Sequence, residues 1–229
     1  MIVAAGAFQR SVVPAFASNL APEVAQIPAD SYRNPGQVPG GAVLVAGGGA
    51  TGRQIALELA GSRDVSLSEG RPVAITPQRF LGRDVMALFD RLGFLRGDKD
   101  SAVGRFVRAH ESFPGLHQRS GALRRRGVRL RPRTVGATPE GCVFADGSRA
   151  AFDVVVWAIG YRDDASWLRI PAAVGAGGHF VEERGVSPVP GLFHVGRSWQ
   201  TCRASALLRG AGDDAARIVD RVVECLKRR

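Results

Sequence analysis

The chain has 229 residues, 45% of them hydrophobic and 23% charged, the composition of a soluble globular protein long enough to bury a sizeable core in one large or two modest domains. Its net charge of +10 is carried almost wholly by arginine spread along the sequence, since Lys99 and Lys227 are the only lysines; no aromatic residues interleave with the basic runs, which argues against a nucleic-acid surface. No apolar stretch approaches the roughly 18 residues of a membrane span, and Cys142, Cys202 and Cys225, widely spaced and in no C-x-x-C arrangement, point to a reducing, cytoplasmic setting without disulfide framework or zinc site.

In chain order, Ile2 to Phe8 reads as a buried strand ending on glycine, too short and lacking the basic start of a signal peptide. A buried parallel strand needs neighbours on both sides, and nothing precedes this one. The stretch Asn34 to Gly40 is dense in turn residues and reads as a linker. Val43 to Val45 is then an apolar strand that enters Gly47-Gly48-Gly49-Ala50-Thr51-Gly52 and leaves into a helix from Thr51 to Ala60, with Ile55, Ala56 and Leu59 at helical spacing and Gly61 as its C′ residue. Val65 to Ser68 is the second strand, followed by Glu69 and Arg71. A helix is predicted within Leu81 to Leu95, with Val85, Leu88, Phe89 and Leu92 on one face, and another from Gly121 to Arg126, stopping at Gly127 before a strand at Val128 to Leu130.

From Thr134 the pattern shortens. Thr134 to Thr138, Cys142 to Ala145, the Asp146-Gly147 turn and Phe152 to Trp157 read as a three-stranded meander. Val3 to Phe8 and Trp157 to Tyr161 echo one another, each placing a small residue and glycine after a β run with an aromatic behind, and read as two crossings between domains. Gly191 to Gly196 is a strand into a turn. The last helix, from about Asp213, is expected to bury Ala215, Ile218, Val219, Val222, Val223 and Leu226. The basic runs Arg124 to Arg126 and Lys227 to Arg229 read as a solvated helix face and a frayed terminus, the surplus charge suiting phosphorylated ligands. His110, His117, His179 and His194 lack metal-ligand spacing, and no metal is expected.

The G-x-G-x-x-G segment carries the chemistry. Gly47 permits a tight strand-to-helix turn, Gly49 lets the backbone approach a pyrophosphate, and Gly52 lets the helix pack close to its strand. The phosphates then sit at a helix N-terminus, where unpaired N–H groups and the macrodipole favour negative charge. Arg71, just past the second strand, suits the 2′-phosphate of NADPH; Glu69 is the competing carboxylate that would suit NADH.

These pieces, in this order, resemble the flavin-containing monooxygenase superfamily, particularly bacterial flavoproteins with two dinucleotide-binding domains. The resemblance spans nearly the whole chain and rests on Tyr32-Arg33-Asn34-Pro35, the turn Gly47 to Gly52, Gly70-Arg71-Pro72, Thr76-Pro77-Gln78-Arg79, Leu81-Gly82-Arg83-Asp84, Val155 to Arg162 and Val189-Pro190-Gly191-Leu192-Phe193. It implies an α/β, Rossmann-like fold of two dinucleotide-binding domains lacking the N-terminal FAD-binding βαβ: residues 1–40 as remnant of the FAD domain and linker, 41–150 as NAD(P)-binding domain with β-meander, and 151–229 as the return to the FAD domain. It also implies NADPH held by Gly47, Gly49, Ala50, Thr51, Gly52, Ser68 and Arg71, and FAD approached by Gly160, Gly196, Trp199, Gln200 and Ser205, with a short helix beginning near Ser205. Trp199 reads equally as a core aromatic.

The implied function is hydride transfer from NADPH to FAD followed by oxygen activation, on a small-molecule substrate the sequence does not name and with no catalytic acid or base of the protein's own. Several family features are missing. The first G-x-G-x-x-G, which holds the FAD pyrophosphate, is absent, so the chain is expected not to hold FAD alone and to pair with an upstream FAD-domain segment or a second copy. Ala50 replaces the usual Asn, Pro28 stands where the family's fingerprint has His, and Ala5 and Ile159 replace Thr at the crossings. The alternatives are a non-catalytic NADPH-binding or sensing module and a degenerate remnant.

Overall fold

Val43, Leu44 and Val45 are apolar on both faces of one strand, a pattern that only a parallel strand covered on both sides can bury. A computed structural model, which describes residues 1–110 and 112–227, places them there. In chain order its main elements are β1 (Ile2–Val3), β2 (Ala25–Pro28), β3 (Ala42–Ala46), α1 (Ala50–Leu59), β4 (Asp64–Ser68), α2 (Val85–Arg91), α3 (Ala102–Ala109), α4 (Ser120–Arg125), β5 (Arg129–Arg131), β6 (Thr134–Thr138), β7 (Gly141–Phe144), β8 (Arg149–Ala150), β9 (Val154–Trp157), β10 (Phe193–His194) and α5 (Ala211–Lys227). Arg228 and Arg229 of the basic tail lie outside the described residues.

The chain divides into two compact units. The sheet unit, residues 11–78 and 112–160, is built on a parallel sheet in the order β5-β4-β3-β9-β2, with Val45 opposite both Leu67 and Val156. Leu44, Ala46, Val155 and Trp157 pack on one face against Ala17, Leu20, Ala137, Cys142, Phe144 and Phe152. The alternate residues point to the other face, as the two-residue period requires, and α1 packs against β3 and β4.

Two sequence expectations change here. Val154 to Trp157 does not close the meander: the third strand is Arg149–Ala150, and β9 lies between β3 and β2 in the parallel sheet. Its four residues are all buried without alternation, the mark of a central parallel strand. Residues 11–40, expected with the FAD domain, supply edge strand β2 to this same sheet. Pro28 ends it, at an edge where its missing N–H is tolerated.

The terminal unit comprises residues 1–10, 79–110 and 161–227. β1 pairs in parallel with β10, Ile2 opposite Phe193 and Val3 opposite His194. Val3 alone of the opening apolar run is buried, joining Ala165, Leu168, Ala173, Phe180 and Leu192; Ile2 and Phe8 are exposed. Residues 79–110, expected within the NAD(P) domain, belong here, with Leu95 packed on Cys202 and Ala204 and flanked by Met86 and Phe89. Helix α2 is shorter than Leu81 to Leu95 because Leu81 lies at φ +48° and Asp84 caps the helix, its Oδ1 accepting from the Ala87 N–H at 2.8 Å.

The closing helix also departs from expectation. Ile218 is buried, but Val219, Val223 and Leu226 are exposed. The buried stripe instead includes Asp214, whose Oδ1 accepts from Thr201 Oγ1 at 2.5 Å and from Arg217 Nη1 at 3.0 Å. A polar anchor sets the rotation of α5, and a count of apolar residues cannot register it.

Candidate dinucleotide site

The order of the parallel sheet reverses between β3 and β9, and the carboxyl ends of two such strands form the crevice where open α/β sheets receive ligands. The loops leaving them touch, Ala158 N–H donating to Ala46 O at 2.8 Å, and on the other side Gly47 N–H donates to Ser68 O at the end of β4 at 3.0 Å. Gly47 is required twice over, by φ +123° and because a Cβ there would stand 2.2 Å from Ala158 O. Gly52, inside α1, is required by close packing, since its Cβ would stand 1.9 Å from Gly47 O.

Gly49 is different. Its φ is −73°, open to any L-residue, and a Cβ there would meet no protein atom within 4 Å. Nothing inside the fold demands glycine at this exposed position. It is the N-cap of α1 and offers no side-chain cap, so the first amides of the helix, at Ala50 and Thr51, lie behind a surface free of side-chain bulk. That is the cradle a pyrophosphate needs: donors, a favourable dipole and no Cβ in the way.

The second strand delivers a mixed set. Ser68 is buried and its hydroxyl is committed, donating to Pro132 O at 2.9 Å and accepting from Thr134 N–H and Oγ1 at 2.8 Å each. Glu69 is held by Arg53, Nη2 to Oε2, at 2.8 Å. Arg71 is exposed with no ion pair among the described residues, and exposed Arg133 lies beside Gly70, where an added Cβ would meet its side chain at 3.5 Å. The rim of the crevice is therefore cationic. Gly160, at φ +118°, follows β9 on the same side, its carbonyl accepting from Val12 N–H at 2.9 Å. A depression of about 690 Å³ lined by Gly41, Ala42, Arg63 and Asp64 lies at the opposite, amino end of β3 and β4, away from this chemistry.

Apart from Gly160, the residues expected to approach a flavin stand in the terminal unit. Gly196 turns the chain after β10 at φ +80°. Trp199 holds a left-handed backbone at φ +55°, and the Arg108 guanidinium lies 5.8 Å from its ring centre. Gln200 is buried, its amide nitrogen donating to His194 O at 3.1 Å and its oxygen accepting from Arg197 N–H at 3.3 Å. Ser205 is also buried, its Oγ accepting from the N–H groups of Thr201 and Cys202 at 3.1 Å each. The short helix there is a 3-10 turn, Arg203–Ala206, that begins before Ser205. Arg197 pairs with Asp163 at 2.5 Å; burial alone would raise the Asp163 pKa, but the guanidinium outweighs it and holds the carboxyl below its ordinary value.

Sequence reasoning missed Arg53, Gln118 and Ser120. Arg53 reads as a surface residue by type, and the only available signal was its place immediately after the last glycine of the turn.

No protein-family model matches the chain. It is 35% identical over 224 residues to an oxidoreductase of Geobacillus kaustophilus described as CzcO-like, covering 97% of this chain and 64% of that protein. It is 33% identical to the CzcO oxidoreductase of Bacillus subtilis, covering 96% of this chain and again 64% of the relative. A mutant of the flavin monooxygenase from Stenotrophomonas maltophilia superposes with a TM-score of 0.73 at 25% identity, covering 96% of this chain and 61% of that one. The chain is thus similar in sequence to these oxidoreductases and in fold to the flavin monooxygenases. It spans about 64% of the length of the curated relatives it matches. A cyclohexanone monooxygenase from Rhodococcus, solved with NADP+ bound, shares the fold at a TM-score of 0.50 and 15% identity, covering 85% of this chain and 54% of that one. The Rossmann-like α/β architecture expected from the sequence is thus the observed one.

Proposed function

We propose that the turn Gly47 to Gly52 binds NADPH and that the chain provides the nicotinamide-nucleotide half of a flavin-dependent, monooxygenase-like oxidoreductase. The observation that carries the reading is Gly49, a glycine with neither a backbone nor an internal packing reason to be one, at the N-cap of α1 and at the switch point of the sheet. The pyrophosphate would lie on the amides of Ala50, Thr51 and Gly52. Arg71, assisted by Arg133 beside Gly70, would grip the 2′-phosphate, a task suited to a bidentate guanidinium. When bound, NADPH supplies a hydride and FAD the acceptor that passes electrons to oxygen. The similarity to oxidoreductases in sequence and to flavin monooxygenases in fold supports this reading.

Arg71→Ala is expected to weaken NADPH by a charge-assisted contact, about 1.5–3 kcal/mol, while leaving NADH nearly unchanged. Equal losses for both nucleotides in a titration refute the assignment of the 2′-phosphate.

A second reading, a nucleotide-binding module without flavin chemistry, draws support from Gln200 and Ser205, whose polar groups are bonded within the fold. Incubation with FAD separates the two. A flavin absorbance band retained through gel filtration, with NADPH consumption, supports the oxidoreductase; NADPH affinity without flavin supports the module.

A further inference from the structure

We infer that Arg53 sets the preference of this site for a nucleotide bearing a 2′-phosphate, by pairing with the Glu69 carboxylate; the inference rests on the NADPH reading above. Arg53 lies on α1 directly after Gly52, yet its side chain is only 2% exposed. Burying a guanidinium is unfavourable unless its donors are matched, and here all three nitrogens are. Nε donates to Gly48 O at 2.8 Å, Nη1 to Gln118 O at 2.7 Å and Nη2 to Glu69 Oε2 at 2.8 Å, with Ser120 Oγ at 3.4 Å from both terminal nitrogens. One side chain therefore ties the phosphate turn, the end of β4 and the start of α4 together.

Glu69 occupies the position about 20 residues beyond the turn from which a carboxylate reads the ribose hydroxyls of NADH and repels a 2′-phosphate. In this chain the group is drawn inward. One oxygen is on Arg53, the other is buried, and the side chain packs on Gly48, where an added Cβ would lie 3.1 Å from Glu69 Cγ. With that negative charge matched, Arg71 and Arg133 are left to set the field at the rim. Arg53 is thus a positioning residue, acting on selectivity through Glu69.

The test is the ratio of NADPH to NADH affinity in the full chain. Arg53→Gln leaves Glu69 unpaired and is expected to lower the ratio at least tenfold, while Arg53→Gln combined with Glu69→Gln returns it to within about threefold of the parent. Glu69→Gln alone, which keeps an acceptor for Arg53, is expected to move the ratio less than threefold, and it decides the matter if the Arg53 variants fail to melt cooperatively. A tenfold rise in the ratio from Glu69→Gln alone, an Arg53→Gln variant that weakens both nucleotides equally, or a double variant that does not recover selectivity overturns the proposal. A purely structural Arg53 would lower both affinities together. A parent protein that binds neither nucleotide overturns the NADPH reading and this inference with it, a result distinct from normal binding with an unmoved ratio.

Discussion

Gly49 and Gly52 stand three residues apart in one turn and answer to different constraints. A side chain at 49 meets no protein atom, whereas a Cβ at 52 collides with the carbonyl of Gly47, backbone that cannot swing aside. Gly52→Ala is therefore expected to destabilise the fold by overpacking, by about 1–3 kcal/mol or more, and Gly49→Val to leave the melting temperature nearly unchanged. Thermal melts of the two variants check this, and a Gly49→Val protein that melts as early as Gly52→Ala removes the argument for an open cradle. His194 makes a second prediction. Its imidazole is fully buried, with neither nitrogen hydrogen-bonded among the described residues; burial first, and then the charge of Arg197, push its pKa below the ordinary 6.5, with Asp163 opposing. Between the lowered folded value and 6.5 the unfolded chain binds more protons, so stability falls as pH drops below 6.5. Asp163, itself held below its ordinary value, contributes at lower pH. His194→Phe should reduce the loss of melting temperature between about pH 7.5 and about pH 5.5; an undiminished loss assigns the acid sensitivity elsewhere.

At the scale of elements, β3, the glycine turn, α1 and β4 were legible because each is announced by a local pattern: an unbroken apolar run, three spaced glycines, a 3.6-residue period. β2 was not. Ala25–Pro28 is short and polar at Gln26, and what holds it is remote, the Trp157 Nε1–H donating to Gln26 Oε1 at 3.0 Å. The face of α5 was misread for a related reason, since its buried stripe contains Asp214. Of the candidate site, the turn and Arg71 could be read from residue type and spacing, whereas the Arg53–Glu69 pair could not, because a sequence assigns both residues to solvent. Ser68 shows how an element is tied to its neighbours. Its hydroxyl bridges the end of β4 to Pro132 and Thr134, between β5 and β6. Ser68→Ala leaves the part-buried Thr134 N–H without its acceptor and is expected to destabilise by about 1 kcal/mol, read from denaturant melts; a change within error assigns the hydroxyl no structural weight.

For the whole molecule, an excess of 31 Lys and Arg over 21 Asp and Glu supplies a field that favours anionic ligands, and Arg71 and Arg133, with no ion pair among the described residues, add to it beside the turn proposed to receive a pyrophosphate. NADPH affinity should accordingly fall as ionic strength rises. The central claim is that this turn is a working nucleotide site, and calorimetric titration of NADPH into the full chain and into Gly49→Val tests it most directly. Saturable binding by the parent, tighter for NADPH than for NADH and abolished in a Gly49→Val protein that still melts cooperatively, is the predicted result. No binding by the parent, or equal binding by the variant, would contradict it.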